Sequence, residues 1–311
     1  MVHIQISEKL PVPSGNFMFT LRKKEMMKNN LPYLSQKLFN TPLAIAPGKI
    51  EVIIAALSDR FGLSKIFRAG GEELSLSAFD MGEPASDKAY DVVEGIAIIP
   101  IQGTLVHKLG TLRPFSGMTG YDGIRANIGM ALEEKSVRAI VLDCDSPGGE
   151  CAGTFDITDT IYNARGQKPI WAILSEAAYS AAFAIASAAD RIIVPRTGGT
   201  GSVGVICAHV DFSKALTASG IAVTLITYGA RKADGNEFNP LSDEALARFQ
   251  EDVDAMGELF VETVARNRRL SIKKVRSTQA ACYMGSKGVD IGFADAVMAP
   301  DEAFRALLGE L

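Results

Sequence analysis

The chain has 311 residues, is 47% hydrophobic and carries a formal net charge of -4, enough apolar material for one large domain or two modest ones. That balance excludes the basic footprint of a nucleic-acid-binding protein, and Arg22-Lys23-Lys24 reads as a solvated patch. No apolar run reaches the length of a membrane span, and the N-terminus lacks the basic-then-apolar order of a signal peptide, so a cytoplasmic protein is expected. The residues before Met26-Met27 are polar and patternless, which makes Met27 an alternative natural start. Cys144, Cys151, Cys207 and Cys282 form no C-x-x-C pair. They are expected to be buried free thiols, with no metal site and no cofactor.

In chain order, residues 1–48 show little periodicity. Residues 49–61 predict a helix, with Ile50, Ile53, Ile54 and Leu57 on one face. Residues 69–94 read as a linker, which predicts an N-terminal extension over 1–90 and a second domain over 91–311. Beyond it strands and helices alternate. Strands are expected at 95–103, 137–143, 169–174, 191–194, 202–208 and 222–227. Helices are expected at 122–134, 150–164, 177–189, 212–219 and 242–269. This alternation predicts an α/β layered fold with a largely parallel sheet. Ser242 suits the cap of the long last helix, with Asp243 and Glu244 at its positive end.

Four segments carry candidate chemistry. Asp145-Ser146-Pro147-Gly148-Gly149 is expected to form a turn from strand to helix. Its amides are either aimed at an anion or simply accommodate positive φ, and the residues leave both open. Ser180, among alanines at the start of a buried helix, has the small neighbours and the dipole a nucleophile needs, with the Ala181 amide nearby. By itself it reads more simply as an N-cap. Lys232, after the 222–227 strand, serves as a base only if its proton is made easy to lose, and Arg231 is an adjacent cation. Gly199-Thr-Gly-Ser-Val-Gly204 spells G-x-G-x-x-G. It runs on as a strand, with no acid about twenty residues later, so dinucleotide binding is rejected. Ser202 there is free to hydrogen-bond a base.

The order of these segments resembles the signal peptide peptidase A family of Ser–Lys peptidases, related in fold to Clp protease and the crotonases. It is most similar to that family's bacteriophage capsid-assembly proteases. The resemblance rests on Pro114-Phe-Ser-Gly-Met-Thr-Gly-Tyr121, Asp145-Ser-Pro-Gly-Gly149, Thr200-Gly-Ser-Val-Gly-Val205, Lys232-Ala-Asp-Gly-Asn236 and Pro240-Leu-Ser-Asp243, and covers roughly residues 90–300. It implies a fold of repeated β-β-α units, Ser180 as nucleophile and Lys232 as general base. Ser202 would orient the lysine amine, and Gly148 and Ala181 would form the oxyanion hole.

The resemblance also implies a homo-oligomer acting on proteins or peptides, among them phage scaffold or portal proteins, in the cytoplasm or a procapsid. The long last helix is a candidate contact between copies. The membrane anchor of the bacterial relatives is not seen, nor is the scaffold segment that often follows the phage peptidase domain. Arg231 stands where related phage sequences often have histidine. Three rival readings remain. A histidine base would come from His3, His107 or His209. A capsid or portal component would have kept the fold and lost activity. A crotonase-like acyl-CoA enzyme would use the glycine-rich turn without needing Ser180 and Lys232 together.

Overall fold

The computed structural model describes residues 3–5, 41–46, 65–67 and 89–311. The expected 49–61 helix and most of the 69–94 linker lie outside these residues. The chain divides into two units. One comprises Met1–Thr41, Pro47–Asp80 and Cys207–Arg248; the other comprises Pro42–Ala46, Met81–Ile206 and Phe249–Leu311.

In the first unit, β1 (His3–Gln5) pairs antiparallel with β3 (Lys65–Phe67), His3 opposite Phe67. Helix α4 (Ser213–Ala218) forms where a helix is expected. The expected 222–227 strand does not form. Its β-branched residues have no neighbouring strand among the described residues, and Ile226 and Tyr228 lie almost fully exposed.

The second unit holds a ten-stranded sheet. Its strands are β2 (Leu43–Ile45), β4 (Asp91–Val93), β5 (Ile96–Val106), β6 (Met118–Gly120), β7 (Ala139–Glu150), β8 (Ile170–Tyr179), β9 (Arg191–Val194), β10 (Gly199–Gly201), β11 (Cys282–Met284) and β12 (Ala296–Val297). The central order is β11-β10-β8-β7-β5-β4. The contacts among β5, β7, β8, β9 and β10 are all parallel. Strand β4 occupies part of the stretch expected to be linker.

Burial alternates along the central strands with the period of two that a pleated sheet imposes. Ala97, Ile99, Ile101, Ile140, Leu142, Cys144, Ala172 and Leu174 face one core, against α1 (Tyr121–Glu133), α2 (Thr154–Ala164), α3 (Ala181–Ser187) and the buried side of α5 (Asp243–Arg268). Ile96, Ala139, Val141, Trp171 and Ile173 face the other way, against Ala303 and Leu307 of α8 (Pro300–Glu310). Both faces being covered is what a parallel sheet requires. Two short helices, α6 (Ile272–Arg276) and α7 (Ser286–Ile291), complete the unit. As expected, the Ser242 hydroxyl accepts the Ala245 amide at the start of α5, at 3.2 Å. Among the described residues no helix is long and apolar enough to cross a membrane.

Three boundaries differ from expectation in ways that matter for the site. Strand β7 does not stop at Asp143; it continues through the Ser-Pro-Gly-Gly run to Glu150, because β5 stays paired to it as far as Gly149. Strand β8 runs on to Tyr179, so the helix expected from residue 177 begins only at Ala181. The strand expected over 202–208 is instead β10, which ends at Gly201; beyond it only Ile206 makes a β-bridge, to Leu43.

Candidate active site

Two adjacent parallel strands, β8 and β10, end together in the second unit, beside the continuing β7. In register, Ser146 of β7 faces Ala178 of β8, and Tyr179 of β8 faces Gly201 of β10. Ser180 and Ser202 therefore leave the sheet side by side, next to Gly148, which stays within β7. Carboxyl ends of parallel strands are where α/β folds build sites.

Ser180 is the joint between β8 and α3. It has φ 54° and ψ -122°, a combination that costs a side-chain-bearing residue roughly 1–3 kcal/mol. Surrounding structure fixes it there. Its amide donates to Gly201 O at 2.9 Å, and its carbonyl accepts the Ala184 amide at 2.9 Å. Although Ser180 stands at the cap position of α3, its side chain makes no capping hydrogen bond, so the simpler N-cap reading fails. The buried hydroxyl has only a long contact, 3.5 Å, to Gly204 O. The first amides of a helix have no intrahelical acceptor, and that of Ala181 is among them.

Gly148 packs against this corner with φ +101°, and a Cβ there would lie 2.9 Å from Ser180 Cβ and 3.0 Å from Tyr179 O. Only glycine fits. Its amide donates to Ser146 Oγ at 3.2 Å, and that hydroxyl donates to Gly103 O at 2.6 Å. Sequence reasoning passed over Ser146, although it lies inside a quoted motif.

Ser202, with φ 56°, is held by the residue just before β11, its amide donating to Ala281 O at 3.0 Å. Desolvation raises the neighbouring Cys282 thiol above its ordinary value, and Ser202 offsets part of that rise. Cys282 is exposed and Cys207 half-buried, a correction to the expected burial of all four thiols; Cys144 and Cys151 are buried, and all four are free. Burial pushes the Cys151 thiol up to about 12, and burial next to the charges of Asp143 and Asp145 pushes Cys144 higher than its ordinary value. Neither thiol is poised as a nucleophile.

The structure thus brings Ser180, Ala181, Gly148 and Ser202 together in one unit. Lys232 belongs to the other. It is exposed in a turn over residues 229–235, its amide donating to Gly229 O at 3.1 Å. Two residues on, Asp234 pairs with Arg248 at 2.6 Å. His107 is held at the end of β5, with Nδ1 3.1 Å from Ala152 O.

Comparison with known proteins gives the arrangement a lineage. Residues 163–309 match the model of peptidase family S49. That stretch, a little under half of the chain, is similar to peptidase family S49. The match takes in Ser180, Ser202 and Lys232. The chain is 40% identical over 289 residues to the head-tail preconnector protein GP5 of Enterobacteria phage P21, covering 90% of this chain and 58% of that protein. It is 38% identical over 288 residues to the capsid assembly protease C of Escherichia phage lambda, covering 89% and 65%. Protease 4 of Haemophilus influenzae is a more distant relative, 25% identical over 91% of this chain and 47% of its own length. The chain therefore spans less than two thirds of the length of the two phage relatives.

Proposed function

We propose that this chain is a serine endopeptidase working through a Ser–Lys dyad, in a Clp protease- and crotonase-like fold, on scaffold or portal proteins of a phage capsid. One observation carries the reading. Ser180 is a buried serine in a strained joint, its hydroxyl uncommitted to a helix cap, wedged between a glycine that tolerates no side chain and a second serine. The match of residues 163–309 to peptidase family S49 and the names of the two phage relatives support the substrate class.

Neutral Lys232 takes the Ser180 proton as Oγ attacks the scissile carbonyl, and Ser202 orients the lysine amine. The oxyanion lies between the Gly148 and Ala181 amides, each worth on the order of 3 kcal/mol. The lysine returns its proton to the leaving amine, and water repeats the sequence on the ester. Protein and peptide substrates, assembly into a homo-oligomer and residence in a procapsid follow from the same reading.

The test is digestion of a loosely folded protein by wild type, Ser180→Ala and Lys232→Ala, with products read by mass spectrometry from about pH 6 to 10. Cutting by wild type alone, faster as the pH rises and the base loses its proton, is expected. Mutants that cut as well as wild type sink the site assignment. Three inert proteins favour the structural capsid component instead.

A further inference from the structure

Strand β8 parts from β7 after the Ser146–Ala178 pair, while β5 stays on the other edge of β7 as far as Gly149. The edge that β8 vacates is taken by β2. It lies antiparallel, with Leu43 opposite Glu150, Ala44 opposite Gly149 and Ile45 opposite Gly148. The Ala46 amide donates to Pro147 O at 2.8 Å. On the other side of β2, Leu43 and Ile206 exchange both backbone hydrogen bonds, at 2.7 and 2.8 Å. This short strand thus fills the cleft beyond the end of β8, between the Gly148 run and the residues after Ser202. An extended segment bonded through its backbone on both edges is how a sheet holds a peptide. Leu43, Ala44 and Ile45 are all buried there. The Ala44 carbonyl oxygen faces the nucleophile's corner: a Cβ on Gly148 would lie 2.2 Å from it and 2.9 Å from Ser180 Cβ.

We infer that Leu43–Ile45 is the protein's own first substrate, and that Ser180 cleaves the Ala44–Ile45 bond. This rests on the reading of Ser180 as nucleophile. Ser180 Oγ bonds to the Ala44 carbonyl carbon, the bond to the Ile45 nitrogen breaks, and the serine proton passes through the base to that amine. Water then adds to the ester, leaving a carboxylate on Ala44 and restoring the hydroxyl. The outcome is release of residues 1–44 and an open cleft. The occupant also defines a substrate class: extended segments with a small residue before the cut bond and branched aliphatic residues on either side, as in Leu43-Ala44-Ile45.

Intact-mass and N-terminal analysis of the 311-residue chain over time, for wild type and Ser180→Ala, tests this, with casein digestion followed in parallel. Wild type is expected to gain a new amino terminus at Ile45, and its casein digestion to accelerate as residues 1–44 are lost. Ser180→Ala is expected to stay whole, with the self-cleavage rate down at least about 1,000-fold. Retention of residues 1–44 by wild type overturns the inference, as does a cut at another bond. Casein digestion then shows whether the Ser180 reading survives: if wild type digests it and Ser180→Ala does not, only the self-cleavage is lost. Loss of residues 1–44 from Ser180→Ala overturns both.

Discussion

At the scale of single residues, the site is built on conformations that ordinary side chains avoid. Ser180 and Ser202 both have φ near +55°, and the amide of each is bonded, to Gly201 O of β10 and to Ala281 O before β11. Gly148 is the complementary case, a position where absence of a side chain lets two backbones meet. Gly148→Ala is expected to cost on the order of 2–4 kcal/mol, since it adds both a clash and a strained φ. A lowered melting temperature together with lost proteolysis checks this. Asp122 shows a residue-level pH effect. Partial burial would raise its carboxyl, but the amides of Leu109 and Gly110 donate to it at 3.1 and 3.0 Å and hold it below the ordinary carboxylate range. A depressed folded pKa contributes stability that is present above the unfolded value of about 3.9 and lost as the pH falls through the folded one. Asp122→Asn is therefore expected to lower the melting temperature at neutral pH, with the gap to wild type closing under acid; an unchanging gap would refute the assignment.

At the scale of elements, helix α3 owes its position to contacts far along the chain. All seven of its residues are buried, so its terminal carbonyls cannot turn to water. Arg165, just past α2, supplies the donors: Nε to Ala188 O at 2.7 Å, and Nη2 to Ser187 O and Ala189 O at 3.0 and 2.6 Å. Charged donors here also suit the negative end of the helix. Arg165→Met is expected to destabilise the fold by about 1.5–3 kcal/mol through these unsatisfied carbonyls, measured by denaturant unfolding. The motif around Pro114–Tyr121 has an element-level explanation too. Ser116 and Gly117 both have positive φ, and Phe115 and Met118 exchange backbone bonds at 2.8 and 3.0 Å. This is the two-residue hairpin turn with the twist a sheet prefers.

At the scale of the whole molecule, the sheet of the second unit depends on cover for both faces. Helix α8 covers the second face through few residues, and Leu307 is fully buried against that cluster with Trp171 and Ile173. Leu307→Ala is expected to cost about 2–5 kcal/mol, the usual range for a cavity at a buried leucine, read from urea unfolding. Along α5, Phe260 and Val264 are buried while Leu246 and Leu259 stay half-exposed. The homo-oligomer we propose would draw on these two exposed leucines. Leu246→Ser together with Leu259→Ser is then expected to reduce the mass measured by light scattering without lowering the melting temperature of the monomer.

The parallel α/β sheet, the Ser242 cap and the helices at α1, α4 and α5 were legible from local chemistry, whereas the roles expected of Gly148, Ser180 and Ser202 came from the resemblance alone. Hydrophobic period, capping residues and glycine placement act over a few positions, so a linear reading captures them. The 222–227 segment misled for the converse reason: β-branched residues mark strand propensity, but a strand also needs a neighbour. The same limit hid the true ends of β7 and β8. Whether a chain continues as strand past Asp143 or Leu174 depends on β5 and β10 lying alongside, partners tens of residues away. It also hid β2. Pro42-Leu-Ala-Ile-Ala-Pro47 is an apolar run too short to read as an element. Only the parting of β7 from β8 creates the vacant edge that it fills, and that edge exists because Ser180 turns the chain out of the sheet.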